Sequence, residues 1–153
     1  MHNKPAPDFA LDATSGEQIK LKDLLGSFVV LIFYPANDTP VCNSQLSEMS
    51  LNTQDLLARN SLVFGVNTAP LAKSGDYCTR RRLSFPILSD PGGQVAKQYK
   101  SFTSWIGLNR RTVVIVDPKG NICFFERGNP KPEKILEKID QVRRDSNLSP
   151  VVE

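Results

Sequence analysis

Apolar residues in this chain fall into short blocks and periodic stripes. The densest block is Phe28-Val29-Val30-Leu31-Ile32-Phe33. Six consecutive apolar residues, rich in β-branched and aromatic side chains, predict a strand buried on both faces. Pro35 ends it, because proline cannot donate to a ladder. Leu62-Val63-Phe64-Gly65-Val66 predicts a second buried strand. Between the two, Leu46, Met49, Leu56 and Leu57 recur at helical spacing and predict one long helix from Pro40 to Asn60. Strand, helix and strand in that order predict a right-handed βαβ unit with parallel strands.

The flanking sequence is shorter in period. Pro5 to Phe9 reads as an extended arm. Phe9 and Leu11 alternate with polar residues, Ser15-Gly16 turns the chain, and Gln18 to Leu21 alternates again, which predicts an N-terminal β-hairpin. Lys22 to Leu25 is a short turn. Pro70 to Arg82 predicts a second helix, weakened by Gly75. Phe85 to Leu88 is extended, and Ser89-Asp90-Pro91-Gly92 turns into a helix over Gln94 to Tyr99. Residues 101–110 read as a loop. Thr112 to Val116 is a strand, Asp117-Pro118-Lys119-Gly120 a type I turn and Ile122 to Glu126 its antiparallel partner. Pro132 to Arg143 closes the chain as a helix with Ile135, Leu136 and Ile139 on one face, and the last ten residues read as a frayed tail. The fold class is α/β, and 153 residues fit one domain, 1–153, with a substantial core.

Composition narrows the functions. A hydrophobic content of 40% is that of a globular protein, and no apolar run approaches the roughly 20 residues of a membrane helix. The N-terminus lacks the apolar core of a signal peptide, so a cytoplasmic location is expected. A net charge of +3 is too small to argue for nucleic acid. Arg80-Arg81-Arg82 is read as the cationic end of a helix rather than a partner-binding patch. Three cysteines, Cys42, Cys78 and Cys123, make an odd number, against a disulfide framework. The single histidine, His2, leaves neither a clustered zinc site nor the usual base of a Cys-His hydrolase.

The chemistry lies just after the first buried strand. Pro40 suits the first turn of a helix with Thr39 as its N-cap, which puts Cys42 in that first turn. Free backbone N–H groups and the positive helix end face such a position, and thiols so placed act as thiolate nucleophiles. The run Pro35, Thr39, Cys42 resembles the Pro-x-x-x-Thr-x-x-Cys signature of the peroxiredoxins, most closely the bacterioferritin-comigratory or Q-type branch. The resemblance runs from Pro7 to about Arg143. It implies a thioredoxin-like fold, a central mixed sheet flanked by helices, with the hairpin and the helix after Pro91 as additions. It implies a thiol peroxidase for hydrogen peroxide and organic hydroperoxides, recycled by thioredoxin, without a prosthetic group, acting as a monomer.

The resemblance also distributes roles. Cys42 is the peroxidatic thiol, Pro35 shields it, and Thr39 meets the oxygen under attack. Arg111, six residues before Asp117, supplies the charged donors. Arg110 is the rival for that role, since strand alternation lets only one of the two face the site. The family often has an acidic residue three positions after the cysteine; here it is Gln45, whose amide oxygen accepts from a guanidinium without charge. A resolving thiol five residues after the first is absent, because Ser47 stands there. The resemblance points instead to Cys78 in the second predicted helix. Cys123, in the apolar run Ile122 to Phe125, reads as a packed thiol. Phe102, Trp105 and Ile106 either rim the site or tuck onto the sheet. Bridging Cys42 and Cys78 needs Cα atoms within about 7 Å, so local unfolding of both helices is expected during turnover. Two other functions fit the same fold. A disulfide oxidoreductase would want a Cys-x-x-Cys, and Thr39 occupies the first of those positions; a redox-sensing adaptor would use the same cysteine pair.

Overall fold

The structure, a computed structural model, describes residues 3–146. Strands β1 (Ala10–Ala13) and β2 (Gln18–Lys20) form the expected hairpin, and a 3₁₀ turn follows over Leu21–Leu24. Strand β3 (Phe28–Phe33) leads into helix α1 (Pro40–Ser50), a short helix α2 (Thr53–Leu57) and strand β4 (Ser61–Asn67). Helix α3 (Leu71–Arg81), strand β5 (Ile87–Ser89) and helix α4 (Gln94–Gln98) come next. Two-residue strands β6 (Phe102–Thr103) and β7 (Leu108–Asn109) pair with each other. Strands β8 (Thr112–Val116) and β9 (Ile122–Arg127) and helix α5 (Pro132–Asp145) complete the chain.

Seven strands make one mixed sheet in the order β2-β1-β5-β4-β3-β8-β9. Strands β3, β4 and β5 run parallel, and β8 returns antiparallel to β3. This is the thioredoxin-like topology, with the N-terminal hairpin added at one edge. All six residues of β3 are buried, as a central strand covered on both faces requires. Its side chains alternate between two cores. Phe28, Val30 and Ile32 join Leu46, Tyr77 and Ile135 on the face of α1, α3 and α5. Val29, Leu31 and Phe33 join Val66, Tyr99 and Val114 on the face of α4 and the N-terminal arm. Asp90 fixes α4 by accepting from the backbone N–H groups of Val95 and Ala96 at 3.0 and 2.9 Å.

Three expectations change. The single helix from Pro40 to Asn60 is broken after Ser50. There the Asn52 side chain donates to the Glu48 carbonyl and the Thr53 hydroxyl to that of Ser50, at 2.9 and 3.0 Å. Short polar side chains thus take the carbonyls that a continuous helix would use. The expected loop over residues 101–110 contains the β6–β7 hairpin, whose strands are too short for a periodic signal. The frayed tail is helical as far as Asp145, and residues 147–153 lie outside the described residues.

Candidate active site

Strands β3 and β4 are parallel and in register, Phe33 opposite Val66, so both end on the same edge of the sheet. Tyr34 and Asn67 sit side by side there. Pro35 to Thr39 cross this edge, with Asp38 in the left-handed region at φ 60°. Thr39 is extended (φ −105°, ψ 147°) and is the N-cap of α1, with Pro40 at the first helical position. Its hydroxyl makes no capping bond; the backbone N–H of Asn43 reaches the Thr39 carbonyl instead. Cys42 falls in the first turn and is fully buried.

Arg111 immediately precedes β8, which is hydrogen-bonded to β3, and this brings its guanidinium across to α1. One terminal nitrogen donates to Cys42 Sγ at 3.2 Å and the other to Gln45 Oε1 at 2.7 Å. Gln45 is buried, so the amide that replaces the family's carboxylate still holds the arginine from its far side. Arg110 is exposed, and its backbone N–H donates to the Ser101 carbonyl. The structure therefore brings Cys42, Gln45 and Arg111 together, with Thr39 and Pro35 on the loop leading in. A cavity of about 650 Å³ opens beside this loop, lined among others by Pro35, Asp38, Ala69, Lys73 and Leu108.

Cys78 is elsewhere. It lies half-buried on α3 with its sulfur 3.6 Å from Thr14 Oγ1, just after β1. Burial raises its pKa above the ordinary thiol value, with the Thr14 contact opposing. Strands β5, β4 and β3 separate β1 from β8, the strand next to Arg111. No disulfide is formed among the described residues. Cys123 is buried in β9, and burial pushes its thiol up to about 12. Of the expected aromatic rim, Phe102 packs onto the second core, whereas Trp105 is 86% exposed at the tip of the β6–β7 hairpin.

Sequence reasoning missed a polar network under the loop. The Tyr34 hydroxyl donates to Asn37 Oδ1 at 2.7 Å and accepts from Asn67 Nδ2 at 3.1 Å. Asn37 Nδ2 reaches Ser74 Oγ on α3 at 3.3 Å. Burial raises the Tyr34 pKa, and the phenol stays protonated as a donor. A tyrosine at the end of an apolar strand was the available signal, since a buried phenol needs a partner. Gly65 makes room for it: a Cβ there would stand 3.2 Å from Tyr34 Cε1.

Fold and site together define a class, the thiol peroxidases built on a thioredoxin-like sheet. The sequence profile of the AhpC/TSA family matches residues 2–125, and the chain belongs to that family, among the peroxiredoxins of the Bcp and Q kind. It is 30% identical to chloroplastic peroxiredoxin Q of Triticum aestivum over 84% of this chain and 59% of that protein. It is 28% identical to peroxiredoxin Bcp of Bacillus subtilis over 90% of this chain and 92% of that one. Among solved structures it is similar to peroxidoxin BcpB from Mycobacterium tuberculosis, with a TM-score of 0.85 at 26% identity, covering 93% and 97% of the two chains. No helix among the described residues is long and apolar enough to cross a membrane.

Proposed function

We propose that Cys42 is the peroxidatic thiol of this peroxidase and Cys78 its intramolecular resolving thiol, with hydrogen peroxide or an organic hydroperoxide as oxidant and a thioredoxin-type dithiol as reductant. The observation that carries this reading is the Arg111 guanidinium held between Cys42 Sγ and Gln45 Oε1. An arginine stays charged at every relevant pH, so the donors face the sulfur before substrate arrives. The thiolate attacks the nearer peroxide oxygen and the O–O bond breaks. One oxygen stays on sulfur as a sulfenic acid, and the other leaves as water or alcohol after taking a proton. Arg111 is preorganised toward the oxygens that gain charge in this step, and the Thr39 hydroxyl, three residues before Cys42, is the second donor in this reading. Pro35 limits the access of water.

Resolution is a second displacement. The Cys78 thiolate attacks the Cys42 sulfur, hydroxide leaves and is protonated to water, and a disulfide remains for the reductant dithiol to open. Cys42 faces Arg111 from α1, whereas Cys78 faces Thr14 from α3, and no disulfide joins them. A disulfide tolerates Cα separations only up to about 7 Å. Local unwinding of α3 and of the first turn of α1 meets this demand. Helix α3 is suited to it: it has no side-chain N-cap, Gly75 in its middle, and a left-handed arginine, Arg82 at φ 53°, at its end. The reading is of a single domain that works as a monomer in the cytoplasm, in keeping with an odd number of cysteines.

Mass spectrometry after one equivalent of peroxide, with alkylation of remaining thiols, tests the assignment. Wild type should yield a Cys42–Cys78 bond within one chain, with Cys123 alkylatable after unfolding. Cys78→Ser should react once, stall as a Cys42 sulfenic acid and pass to sulfinic acid in excess peroxide. A bond between two chains, or full thioredoxin-dependent turnover of Cys78→Ser, would exclude the intramolecular route.

A further inference from the structure

Four side-chain contacts fasten α3 to the segment that carries Cys42. Ser74 meets Asn37, Tyr77 donates to Asn43, Arg81 donates to Ser47, and Arg80 pairs with Asp38. Of the four, only the last joins opposite charges. Its geometry is fork to fork: Arg80 Nη2 lies 2.7 Å from Asp38 Oδ2 and Nη1 3.3 Å from Oδ1. The remaining nitrogen, Nε, is 2.8 Å from Asp76 on the same helix. The guanidinium is therefore fixed to its own helix on one side and to the active-site loop on the other.

Both ends of this pair sit at sensitive places. Asp38 occupies the left-handed region and directly precedes Thr39. A non-glycine residue keeps that conformation only where its surroundings over-determine it, and the bidentate pair grips its side chain. Arg80 lies two residues beyond Cys78 on the helix that must unwind for resolution. We infer that Arg80 is a positioning residue with two effects of opposite sign. Through Asp38 it holds the backbone that presents Thr39 to the peroxide, which speeds attack. Through its own helix it holds Cys78 in place, which slows resolution. One half-exposed ion pair thus sets how long the sulfenic acid lives (side chains 49% and 50% exposed). The inference rests on Cys42 as the attacking and Cys78 as the resolving thiol.

Quench-flow mass spectrometry separates the two steps by timing sulfenic acid and disulfide independently. For a half-exposed pair the expected change is about two- to fivefold in each rate. Arg80→Gln should slow sulfenate formation by that factor and speed disulfide formation by a similar one. Asp38→Asn should do the same, and the double variant should be no further from wild type than either single, because both act through one contact. Raising the ionic strength should move wild type in the direction of Arg80→Gln and leave that variant unchanged. Arg80→Lys, which keeps the charge and loses the fork, should lie between. Loss of structure alone would not give opposite signs. Two rates that move together, two rates that stay at wild-type values, or additive single variants would overturn the inference. Wild type that forms no Cys42–Cys78 bond would show that the underlying assignment has failed, and the inference falls with it.

Discussion

If resolution waits on the unwinding of α3, strengthening that helix at a distance from either sulfur must slow it. Gly75 offers the substitution. It lies in the helix interior, its φ is not positive, and a Cβ built there meets nothing within 4 Å. Replacing an interior helical glycine by alanine favours the helix by about 1 kcal/mol, through a smaller backbone entropy loss. Unwinding before the chemical step is an equilibrium, so the unwound fraction falls by the Boltzmann factor of that energy. With RT near 0.6 kcal/mol the factor is roughly five. Gly75→Ala should therefore form the Cys42–Cys78 disulfide about fivefold more slowly after a fast peroxide pulse. Sulfenic acid formation on Cys42 should keep its wild-type rate. Competition with excess peroxide should shift in step, with several times more sulfinic acid per turnover. Thermal unfolding is the control, since the variant should be as stable as wild type or more so. A more stable variant with an unchanged resolution rate would refute the argument, because α3 would then not unwind before the sulfurs meet.

Arg111→Ala should cost about 10²–10³ in the second-order rate with peroxide, as loss of a preorganised donor does, while Arg110→Ala leaves it within twofold; stopped-flow competition distinguishes them. Gly65→Ala would push a Cβ against Tyr34 and Ile87, both fully buried, and should cost about 1–3 kcal/mol in urea denaturation. The buried Cys123 thiol, pushed up to about 12, gives a pH prediction. Its folded pKa is raised, so its contribution to stability is complete below the ordinary thiol range and is lost as pH rises toward 12. Wild type should lose at most about 1.4 kcal/mol per pH unit through this group, and Cys123→Ala should show a correspondingly flatter alkaline limb. Parallel limbs would show that the thiol does not titrate in this way.

The central strand and the cysteine helix were legible because each rests on one dominant local signal. Phe28–Phe33 has no polar residue to compete, and Pro40 behind Thr39 admits a helix start and little else. Arg111 was picked out by the resemblance, which sets its distance from the strand end at Asp117, and its guanidinium does meet Cys42. The break after Ser50 was not, since the apolar spacing of Leu46, Met49, Leu56 and Leu57 continues across it. The side chains of Asn52 and Thr53 decide there, and they leave no mark on hydrophobic periodicity. The network of Tyr34, Asn37, Asn67 and Ser74 was hidden for another reason. Its members come from two strand ends, a loop and a helix, and only the parallel register of β3 and β4 brings them together.

The same contrast of environments bears on the proposal that Cys78 resolves Cys42. Cys123 belongs to β9, whose ladder to β8 runs from Ile122 to Arg127 and whose inner face is part of the first core. Freeing it means parting that ladder and opening the core beneath α5, an event close to global unfolding. Cys78 belongs to an eleven-residue helix that buries only Ser74 and Tyr77 and ends on Arg82 in the left-handed region. Local opening draws on the least stable units of a fold, and α3 is such a unit where β9 is not. The thiol proposed as peroxidatic has the opposite need. Cys42 is fully buried, and its contact with Arg111 requires α1 and β8 to hold their places on the sheet. Attack thus calls for rigidity on the β8 side, and resolution for compliance on the β1 side. The fold provides the two on neighbouring helices, α1 and α3, and the Asp38–Arg80 pair and the Tyr77–Asn43 bond join them.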